Sequence, residues 1–492
     1  MNLLSLLRDV ECEQIDKSLF EKDIKDIKID HRQVEKGDVY IAMRGSQFNG
    51  NDFASLALEK GAACVVSDEL ESGEKVVNVR DVRSAYALMS KNFFGRGCDN
   101  LRIIAITGTN GKTTVCNTIA DMLRGAGYKV GVIGTLGAKV DGEFEDTGFT
   151  TPDPYKLHSI FANMNGKGVD FVVMEASAHA LALNKLDGIR FEMGVLTNIT
   201  EDHLDFFENM DDYADAKLKL FEKGRTTLGI YCADKAYTDR LLEKSGVNLL
   251  SYGFTSDCDY AGRIFEKNFS GSHFACTDYK GNIFDVKTKL VGSFNVENAL
   301  AAIAVCKNLG LSNWNILEGL NAIKAVEGRF NTISTGKANI VIDFAHTPDG
   351  LEKVLQTARE ISDGKVVAIF GCGGNRDKQK RPIMGRIASQ QADEIILTSD
   401  NPRFEDPNAI ISQIKKGVKG PCKVLPNRKK AIEYALENYQ NGQTIVIAGK
   451  GAEKYQEING VKYPYSDFDV VREVLKGQKK IINREDYFLD KD

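Results

Sequence analysis

Hydrophobic residues along the chain fall into short runs that alternate with amphipathic segments. Runs such as "IIAI" at 103–106 and "FVVM" at 171–174 are typical of strands buried on both faces. Between such runs, apolar positions recur at helical spacing, as in "KTTVCNTIADMLRGAG" at 112–127, which ends in a glycine-rich stop. This alternation predicts an α/β protein whose parallel sheets are covered by helices.

The strand-like runs group into three sections of the chain. Residues 1–97 contain no proline and mix short strands with an amphipathic helical segment, and residues 98–330 open with a pattern typical of a βαβ unit. In residues 331–492, runs within 338–346, 365–374, 393–402 and 443–451 alternate with helical segments around 349–362, 380–392, 407–417 and 428–440. We therefore expect three domains with these limits: a small α/β N-terminal domain, a central domain with a P-loop-type parallel sheet, and a C-terminal Rossmann-like domain.

The bulk composition excludes several classes of protein. The chain of 492 residues is 42% hydrophobic and 27% charged with a formal net charge of −5, as in ordinary globular proteins. Lysine and arginine are scattered, which argues against a nucleic-acid surface, and no apolar run reaches the roughly 20 residues of a membrane helix. The acidic N-terminus is unlike a secretory signal, and the charged tail from residue 476 is expected to be a solvated end.

Cysteine usage indicates the redox compartment. Ten cysteines are spread singly between Cys12 and Cys422, with no C-x-x-C pair. This spacing favours free, mostly buried thiols over disulfides or a zinc site. We therefore expect a reducing, cytoplasmic location.

The segment "TGTNGKTT" (107–114), here named the phosphate loop, has the composition of a nucleotide-binding loop in a compressed form. Two residues separate its first two glycines, whereas an ordinary P-loop has four residues before its Gly–Lys pair. Glycines let backbone N–H groups approach phosphate, lysine supplies a positive charge, and a threonine hydroxyl is a ligand for Mg²⁺. The flanking strand and helix favour this interpretation over an ordinary turn, and the candidate residues are Gly108, Thr109, Asn110, Gly111, Lys112, Thr113 and Thr114.

Polar side chains follow other buried strands of the central section. Glu175 comes directly after "FVVM" and suits a metal ligand, although a helix-start carboxylate explains it as well. His203 follows "GVLTNI" and is equally compatible with a metal ligand and a hydrogen-bonded structural histidine. Lys217 and Lys219 lie two positions apart on a helical segment, hence on different faces, and by themselves indicate solvated charges.

Taken together, these stretches resemble the Mur ligases, in order and over essentially the whole chain. The stretches are "TGTNGKTT", "TTPDP", "EASAHAL", "TNITEDHLD", "GSFNVENALAA", "EGRF", "DFAHTPDGLEKVL", "FGCGGNRDKQKRP", "DNPRFEDP" and "GKGAEKYQ". They are most similar to the MurE branch, which adds the third residue to the UDP-N-acetylmuramoyl dipeptide of peptidoglycan. The resemblance implies an ATP-dependent amide ligase in which a substrate carboxylate becomes an acyl phosphate that the incoming amine attacks.

The resemblance also implies a site for ATP and two Mg²⁺ ions between the second and third sections. Lys217 aligns with a lysine that is carbamylated in the family, which reverses the interpretation from the residue alone, while Lys219 stays a surface charge. The implied catalytic residues are Lys112, Glu175, His203 and Lys217, and the implied metal ligands are Thr113, Glu175, His203 and carbamylated Lys217. Beyond the phosphate loop, the implied ATP contacts are Asn295, Asn298, Arg329, Asp343 and His346.

The substrate that the resemblance implies is UDP-N-acetylmuramoyl-L-alanyl-D-glutamate, with its uridine end on the first section. The implied contacts are His31, Thr150, Thr151, Ser177 and Lys185. The chain departs from the family pattern here, since His31 replaces a serine, Lys185 an arginine and Glu201 a frequent arginine. Lysine keeps the charge of arginine but loses its bidentate geometry.

The segment "SDNPRFEDP" bears on the amino acid that is added. A turn before a helix explains Asn401 and Pro402, but it does not explain Arg403 at the apex. In the family, "DNPR" accompanies meso-diaminopimelate, whose far carboxylate a guanidinium binds bidentately. Meso-lanthionine satisfies the same contacts, whereas L-lysine lacks that carboxylate. The matching set is Arg376, Asn401, Pro402, Arg403, Gly449 and Glu453, with Glu453 facing an ammonium group.

Two other functions stay open at this point. Folylpolyglutamate synthetases share the short loop and the carbamylated lysine, but they lack the full first domain and the "DNPR" and "GKGxE" pair. A catalytically dead nucleotide-binding scaffold would show damage among the four implied catalytic residues, and all four are intact. We expect small-molecule substrates, no nucleic-acid or membrane partner, and a monomer.

Overall fold

Three large β-sheets organise the computed structural model, which describes residues 1–45, 48–71 and 73–477. The N-terminal sheet has the order β1-β5-β4-β3-β2, with β1 antiparallel to its neighbour and the other pairs parallel. Its strands are β1 Cys12–Gln14, β2 Ile27–Lys28, β3 Val39–Ile41, β4 Cys64–Ser67 and β5 Val76–Val79, and its helices are α1 Leu3–Leu6, α2 Ala54–Glu59 and α3 Val82–Phe93.

The central sheet has eleven strands in the order β16-β15-β14-β13-β12-β11-β6-β10-β7-β8-β9. The strands are β6 Arg102–Thr107, β7 Val130–Gly134, β8 Gly137–Val140, β9 Glu143–Glu145, β10 Phe171–Glu175, β11 Phe191–Leu196, β12 Thr226–Cys232, β13 Asn248–Gly253, β14 Tyr260–Asn268, β15 Gly271–Asp278 and β16 Ile283–Thr288. The helices are α4 Lys112–Gly125, α5 Pro154–Gly166, α6 Ala178–Ala182, α7 Met210–Leu218, α8 Thr238–Lys244, α9 Ser293–Asn308 and α10 Asn313–Ala322.

The middle of the central sheet is parallel, as the sequence predicts, but both of its edges are antiparallel. Strands β8 and β9 continue one edge, and β15 and β16 the other, through antiparallel pairs. The predicted parallel sheet is confirmed for the inner strands, and the antiparallel edges extend it. In β16, buried and exposed residues alternate strictly, which is the pattern of a half-buried antiparallel strand.

The C-terminal sheet has the order β17-β18-β22-β19-β20-β21, and only β17 is antiparallel to its neighbour. Its strands are β17 Asn331–Ser334, β18 Asn339–Asp343, β19 Val366–Phe370, β20 Glu394–Leu397, β21 Cys422–Val424 and β22 Thr444–Ala448, followed by a separate hairpin of β23 Tyr455–Ile458 and β24 Val461–Pro464. Its helices are α11 Pro348–Ile361, α12 Lys380–Gln391, α13 Pro407–Lys415, α14 Arg428–Asn438 and α15 Asp467–Gly477.

The cores explain why the inner strands are continuous apolar runs. In β6, Ile104 and Ile106 belong to one buried cluster, and Ile103 and Ala105 belong to the cluster on the opposite face. A strand covered by helices on both sides has no solvated face and so needs no alternation. The predicted α/β class is confirmed, while the domain limits at residues 97 and 330 stay predictions.

Three further expectations concern the cysteines, the membrane and the chain end. All ten cysteines are free, eight of them are buried, and the prediction of free, mostly buried thiols is confirmed. In the described part of the chain, no helix combines the length and apolarity needed to cross a bilayer. Most of the charged tail, from residue 478, lies outside the described residues.

Candidate active site

The phosphate loop joins β6 to α4 at the middle of the central sheet. Its two glycines have positive φ angles, +143° at Gly108 and +88° at Gly111. A Cβ at Gly108 would lie 1.9 Å from the Thr197 hydroxyl, and one at Gly111 would lie 2.5 Å from Oδ1 of Asn298. Both positions therefore require glycine, because side-chain residues rarely adopt this backbone and no space is left for them.

Two lysines, the half-buried Lys112 and the buried Lys217, converge on a single carbonyl oxygen of the phosphate loop. The Nζ atoms of Lys112 and Lys217 each donate to the Gly108 carbonyl at 2.9 Å, and Lys112 also donates to the carbonyl of Thr109. Burial lowers the pKa of Lys112, and burial together with the neighbouring Lys112 charge holds the pKa of Lys217 well below its usual value. The neutral amine of Lys217 is therefore favoured much more strongly than for a lysine in water.

The surroundings of Lys219, the second lysine of this segment, differ from those expected of a surface charge. Lys219 is half-buried and donates to Oδ1 of Asn184 at 3.2 Å, so it is not simply a surface charge. It follows α7 in a single 3₁₀ turn, whereas Lys217 lies within α7 with its amine 4.2 Å from the Tyr213 ring. The two lysines do point to different surroundings, as their spacing predicts.

Glu175 stands at the end of β10, beside the strand that precedes the phosphate loop. Its Oε1 accepts hydrogen bonds from the Thr113 hydroxyl at 3.0 Å and the Thr135 N–H at 2.9 Å. The Thr135 hydroxyl donates to Oε2 at 3.2 Å. Among the described residues no group of three or more His, Cys, Asp or Glu side chains is placed to hold a metal ion. The metal ligands implied by the sequence, which include a threonine and a modified lysine, therefore stay a prediction.

His203 lies in the loop after β11 and has a positive φ of +57°. Its Nε2 is 3.3 Å from Oδ2 of Asp202, and its ring centroid is 4.7 Å from that of His179. Burial is the main reason why the pKa of His203 falls to about 3; the Asp202 carboxylate opposes the shift, while His179 and the charge of Lys112 add to it. The imidazole is thus neutral at physiological pH, which is the form that can bind a cation.

The C-terminal sheet brings a second set of groups to the phosphate loop. Arg329 donates through Nη2 to the Thr113 hydroxyl at 2.9 Å, and its guanidinium lies 4.4 Å from the Phe344 ring. Burial lowers the pKa of Arg329, although the Asp343 carboxylate opposes the shift. Nδ2 of Asn110 also crosses between the sheets and donates to Asp349 at 2.7 Å. These two hydrogen bonds tie the loop to the C-terminal sheet.

The other residues assigned to the nucleotide occupy both sides of the same cleft. Asp343 ends β18, where its carboxylate accepts from the N–H groups of Phe330 and Ala345. Asn298 lines the cleft and donates to Asn295, which is buried behind it.

The segment 401–403, here named the acceptor loop, follows β20 on the C-terminal side. Asn401 donates to Glu453 at 2.9 Å, and the buried Lys450 bridges these two residues with bonds of 2.9 and 2.8 Å. Arg403 has a φ of +51° and donates through Nη1 to the Gly374 carbonyl at 2.8 Å. Arg376 is half exposed, with its Nη1 3.8 Å from Asp205 of the central section.

A single cavity of about 410 Å³ connects the phosphate loop to the acceptor loop. The predicted residues that line it are Thr109, Asn110, Gly111, Lys112, Thr113, Thr114, Thr150, Glu175, His203, Asn298, Arg329, Asp343, His346, Arg376, Asn401, Arg403, Gly449 and Glu453. Gly108, Lys217 and Asn295 lie directly behind this lining, as their hydrogen bonds show. The sites implied for the nucleotide and for the amino acid are therefore two ends of one cavity.

Most residues implied for the nucleotide-sugar dipeptide lie outside that lining. Thr151 donates to the Glu175 carbonyl at 2.8 Å, and Ser177 caps α6 by accepting from the Ala180 N–H. Lys185 lies with its amine 5.5 Å from the Phe149 ring centre. His31 stacks on Phe53 at 4.2 Å in the N-terminal section. Their roles as substrate contacts stay predictions, as does that of Pro402.

Several residues of the cavity escaped the sequence analysis. Thr135, Asp202 and Lys380 line the cavity, and Lys380 reaches within 3.8 Å of Asp202 from the opposite side. Lys450 lies behind the lining, where it bonds Asn401 and Glu453. Lys450 carried a usable signal, because it stands between two glycines directly after a buried strand. Thr135, directly after the buried strand β7, and Asp202, in the loop after β11, carried a similar signal, whereas Lys380 did not.

Comparison with known proteins agrees with this arrangement. Models of the Mur ligase family match three segments: the catalytic domain at residues 23–93, the middle domain at 106–306 and the glutamate ligase domain at 328–451. The chain is 40% identical to a UDP-N-acetylmuramoyl-L-alanyl-D-glutamate--2,6-diaminopimelate ligase of Aquifex aeolicus over 466 residues, which are 94% of this chain and 96% of that protein. It is 37% identical to the protein of the same name in Syntrophomonas wolfei, over 98% of this chain and all of the relative.

A solved structure of such a ligase superimposes with a TM-score of 0.69 at 32% identity, covering 95% of this chain and 97% of the other. The family models together cover most of the chain, and identity above 30% extends over nearly its whole length. The chain therefore belongs to the Mur ligase family.

Proposed function

We propose that this protein is the ATP-dependent ligase that joins meso-2,6-diaminopimelate to UDP-N-acetylmuramoyl-L-alanyl-D-glutamate. The observation that carries the proposal is the single cavity with the phosphate loop at one end and the acceptor loop at the other. A ligation needs an activated acid and an amine side by side, and this cavity offers distinct groups for each. The names of the relatives support the identity of both substrates.

At the phosphate end, the chain supplies backbone N–H groups, a buried cation and a cluster of oxygen donors. Lys112 and Arg329 bring positive charge to an otherwise buried site, which offsets the repulsion between a triphosphate and a carboxylate. The Thr113 hydroxyl and the Glu175 carboxylate, 3.0 Å apart, are the hard oxygen donors that Mg²⁺ prefers, so the residues fit that ion. Bound Mg²⁺ would supply further charge neutralisation for the phosphates.

Lys217 fits the carbamate assigned to it by the resemblance. Only a neutral amine adds to carbon dioxide, and burial beside Lys112 favours that neutral form. The product would be an anion in place of a buried neutral amine, close to His203 and to the phosphate loop. We propose that this anion supports a second Mg²⁺ together with the neutral imidazole of His203.

At the acceptor end, the charges of the lining match an amino acid that carries charged groups at both ends. Arg403 and Asn401 offer donors for a carboxylate, and Glu453 offers an acceptor for an ammonium group. Diaminopimelate and lanthionine share the far carboxylate that would use Arg403, and we propose the former because the relatives carry its name. L-Lysine, without that carboxylate, should be a poor substrate.

The remaining assignments follow from the same proposal. Both walls of the cavity come from one chain, so we propose that a monomer suffices. ATP and UDP-linked precursors place the reaction in the cytoplasm. The uridine end would lie on the N-terminal section near His31.

A coupled assay tests the proposal directly. With ATP, Mg²⁺ and the UDP-linked dipeptide, phosphate release should depend on added diaminopimelate and yield the tripeptide product with ADP. Release that ignores the amino acid, or the absence of any turnover as for a nucleotide-binding scaffold, would rule the proposal out. Running diaminopimelate, lanthionine and lysine in parallel identifies the preferred amino acid.

A further inference from the structure

The hairpin of β23 and β24 (residues 455–464) joins the acceptor loop as if it were one more strand. Arg403 pairs with Ile458 in a parallel bridge, and the N–H of Asn459 donates to the Arg403 carbonyl at 2.7 Å. The Arg403 N–H in turn donates to the carbonyl of Glu457 at 3.1 Å. This backbone pairing fixes the strained positive-φ conformation at the loop apex.

Glu457 is the one hairpin residue that bonds both proposed carboxylate-binding side chains within the described part of the chain. Its N–H donates to Oδ1 of Asn401 at 2.9 Å, and its carboxylate accepts from Nε of Arg403 at 3.2 Å. Glu457 is half-buried, and its side chain and that of Arg403 are each 22% exposed. Because this ion pair is partly shielded from water, Glu457 holds the Arg403 side chain more firmly than an exposed carboxylate would.

The bonds of Arg403 leave one edge of its guanidinium available. Nε is held by Glu457 and Nη1 by the Gly374 carbonyl, while Nη2 has no hydrogen-bond partner among the described residues. The guanidinium has five N–H donors in a rigid fork, so fixing Nε and one N–H of Nη1 sets the plane in which the others lie. The Nη edge can then meet a carboxylate without further loss of side-chain freedom.

We propose that Glu457 is a positioning residue that sets the selectivity of this site for an amino acid with a carboxylate at its far end. It acts through Arg403, by holding Nε and thereby presenting the Nη edge to the cavity. The inference rests on the proposed function, since it assumes that diaminopimelate occupies the acceptor end. Glu457 lies outside both the phosphate loop and the acceptor loop, so it is an additional determinant of amino-acid binding.

Four variants test it: Glu457→Ala, Glu457→Gln, Arg403→Ala and the double variant. Glu457→Ala should raise the KM for diaminopimelate about tenfold, with kcat and the KM for ATP within twofold of wild type, because only a positioning bond is lost. Glu457→Gln keeps an acceptor for Nε and should recover most of the affinity. Adding Glu457→Ala to Arg403→Ala should change the KM no further, which is the signature of one residue acting through another.

Lys454→Ala changes an exposed residue directly before the hairpin; it is the matched control and should behave as wild type. Thermal melting of every variant separates loss of folding from loss of recognition. An unchanged KM in Glu457→Ala, an equal rise in the KM for ATP, or additive effects in the double variant would overturn the inference alone. Wild-type protein that never uses diaminopimelate would overturn the proposed function and the inference together.

Discussion

The phosphate loop and the acceptor loop occupy equivalent places in two different sheets and are held in different ways. Each follows the carboxyl end of a parallel strand, β6 in one case and β20 in the other. The phosphate loop is fixed from within, by glycines that tolerate no side chain and by two lysines on one backbone carbonyl. The acceptor loop is fixed from outside, by ion pairs and a hairpin that is half exposed.

This contrast separates the common chemistry from the choice of substrate. The phosphate loop has no space for side chains at its glycines, so it suits one ligand shape. The triphosphate end of the nucleotide is the same in every turnover. A loop held by replaceable side chains can change its ligand without disturbing the sheet beneath it. We therefore expect changes at the phosphate loop to affect rate, and changes at the acceptor loop to affect which amino acid is used.

The largest effect is expected from Lys217→Ala. Losing the proposed carbamate should lower kcat by about 10²–10³-fold, as the loss of one preorganised charge does in other enzymes. Acetate or formate added to the assay should restore part of the rate by filling the vacated space. Lys219→Ala, two positions away and bonded to Asn184, is the control and should stay near wild type. Equal losses in both variants would contradict the assignment.

Arg403→Ala should affect the other end of the cavity. Removing a charge-assisted hydrogen bond to a carboxylate should raise the KM for diaminopimelate by about 10–100-fold and leave the KM for ATP unchanged. Steady-state kinetics with each substrate varied in turn measures both. Arg386→Ala removes an exposed arginine of the same section and should have no effect. A similar loss with lysine as the substrate would refute recognition of the far carboxylate.

Gly108→Ala tests how tightly the phosphate loop is constrained. Its Cβ would meet the Thr197 hydroxyl at 1.9 Å in a backbone conformation that alanine avoids. We expect ATP affinity to fall at least about tenfold, since forcing alanine into a backbone conformation that only glycine favours costs about 1–3 kcal/mol. Calorimetric titration with ATP measures the change. Gly166→Ala, where an added Cβ has open space, should bind as wild type does, and normal binding by Gly108→Ala would contradict the proposed constraint.

The smallest effect concerns acid stability near the acceptor loop. Two hydrogen bonds from the buried Arg381 guanidinium lower the pKa of Glu405 from 4.5 to about 2. The folded state thus binds this proton less readily than the unfolded state, so the stabilisation is present above pH 4.5 and is lost as the pH falls toward 2. Glu405→Gln should lower Tm at pH 7, by roughly 2 °C or more, and shrink the difference in Tm between pH 7 and pH 3. A difference as large as in wild type would disprove the contribution of this pair.

The sequence was most informative where one short stretch carries a whole structural element. The four helices predicted between residues 349 and 440 all exist, with starts and ends within two residues of the expected ones. The hairpin of β23 and β24 was missed because its strands are short and half exposed, without the apolar run that marks the buried strands.

In the cavity, too, residues with a local sequence signal could be predicted, and residues placed by distant contacts could not. Lys112 and Glu175 could be predicted because one opens the helix after a glycine loop and the other ends a buried strand, and strand ends meet at one edge of a parallel sheet. Lys380 and Glu457 are brought in by contacts across more than thirty positions in sequence, and no local pattern marks them. The burial that shifts the pKa of Lys217 is likewise a property of the packed helix and not of its spacing.

The hydrogen bonds from Asn110 to Asp349 and from Arg329 to Thr113 connect the two walls of the cleft, so opening of the cleft can be followed as a movement of the two sections. Both join the phosphate loop to the opposite sheet, so separating the sheets far enough to admit a triphosphate must break them. Exposed residues of the two sections, such as Glu243 on α8 and Lys429 on α14, would then move relative to each other once in each catalytic cycle. A pair of dyes on those helices would let single molecules be timed as they open, load and close.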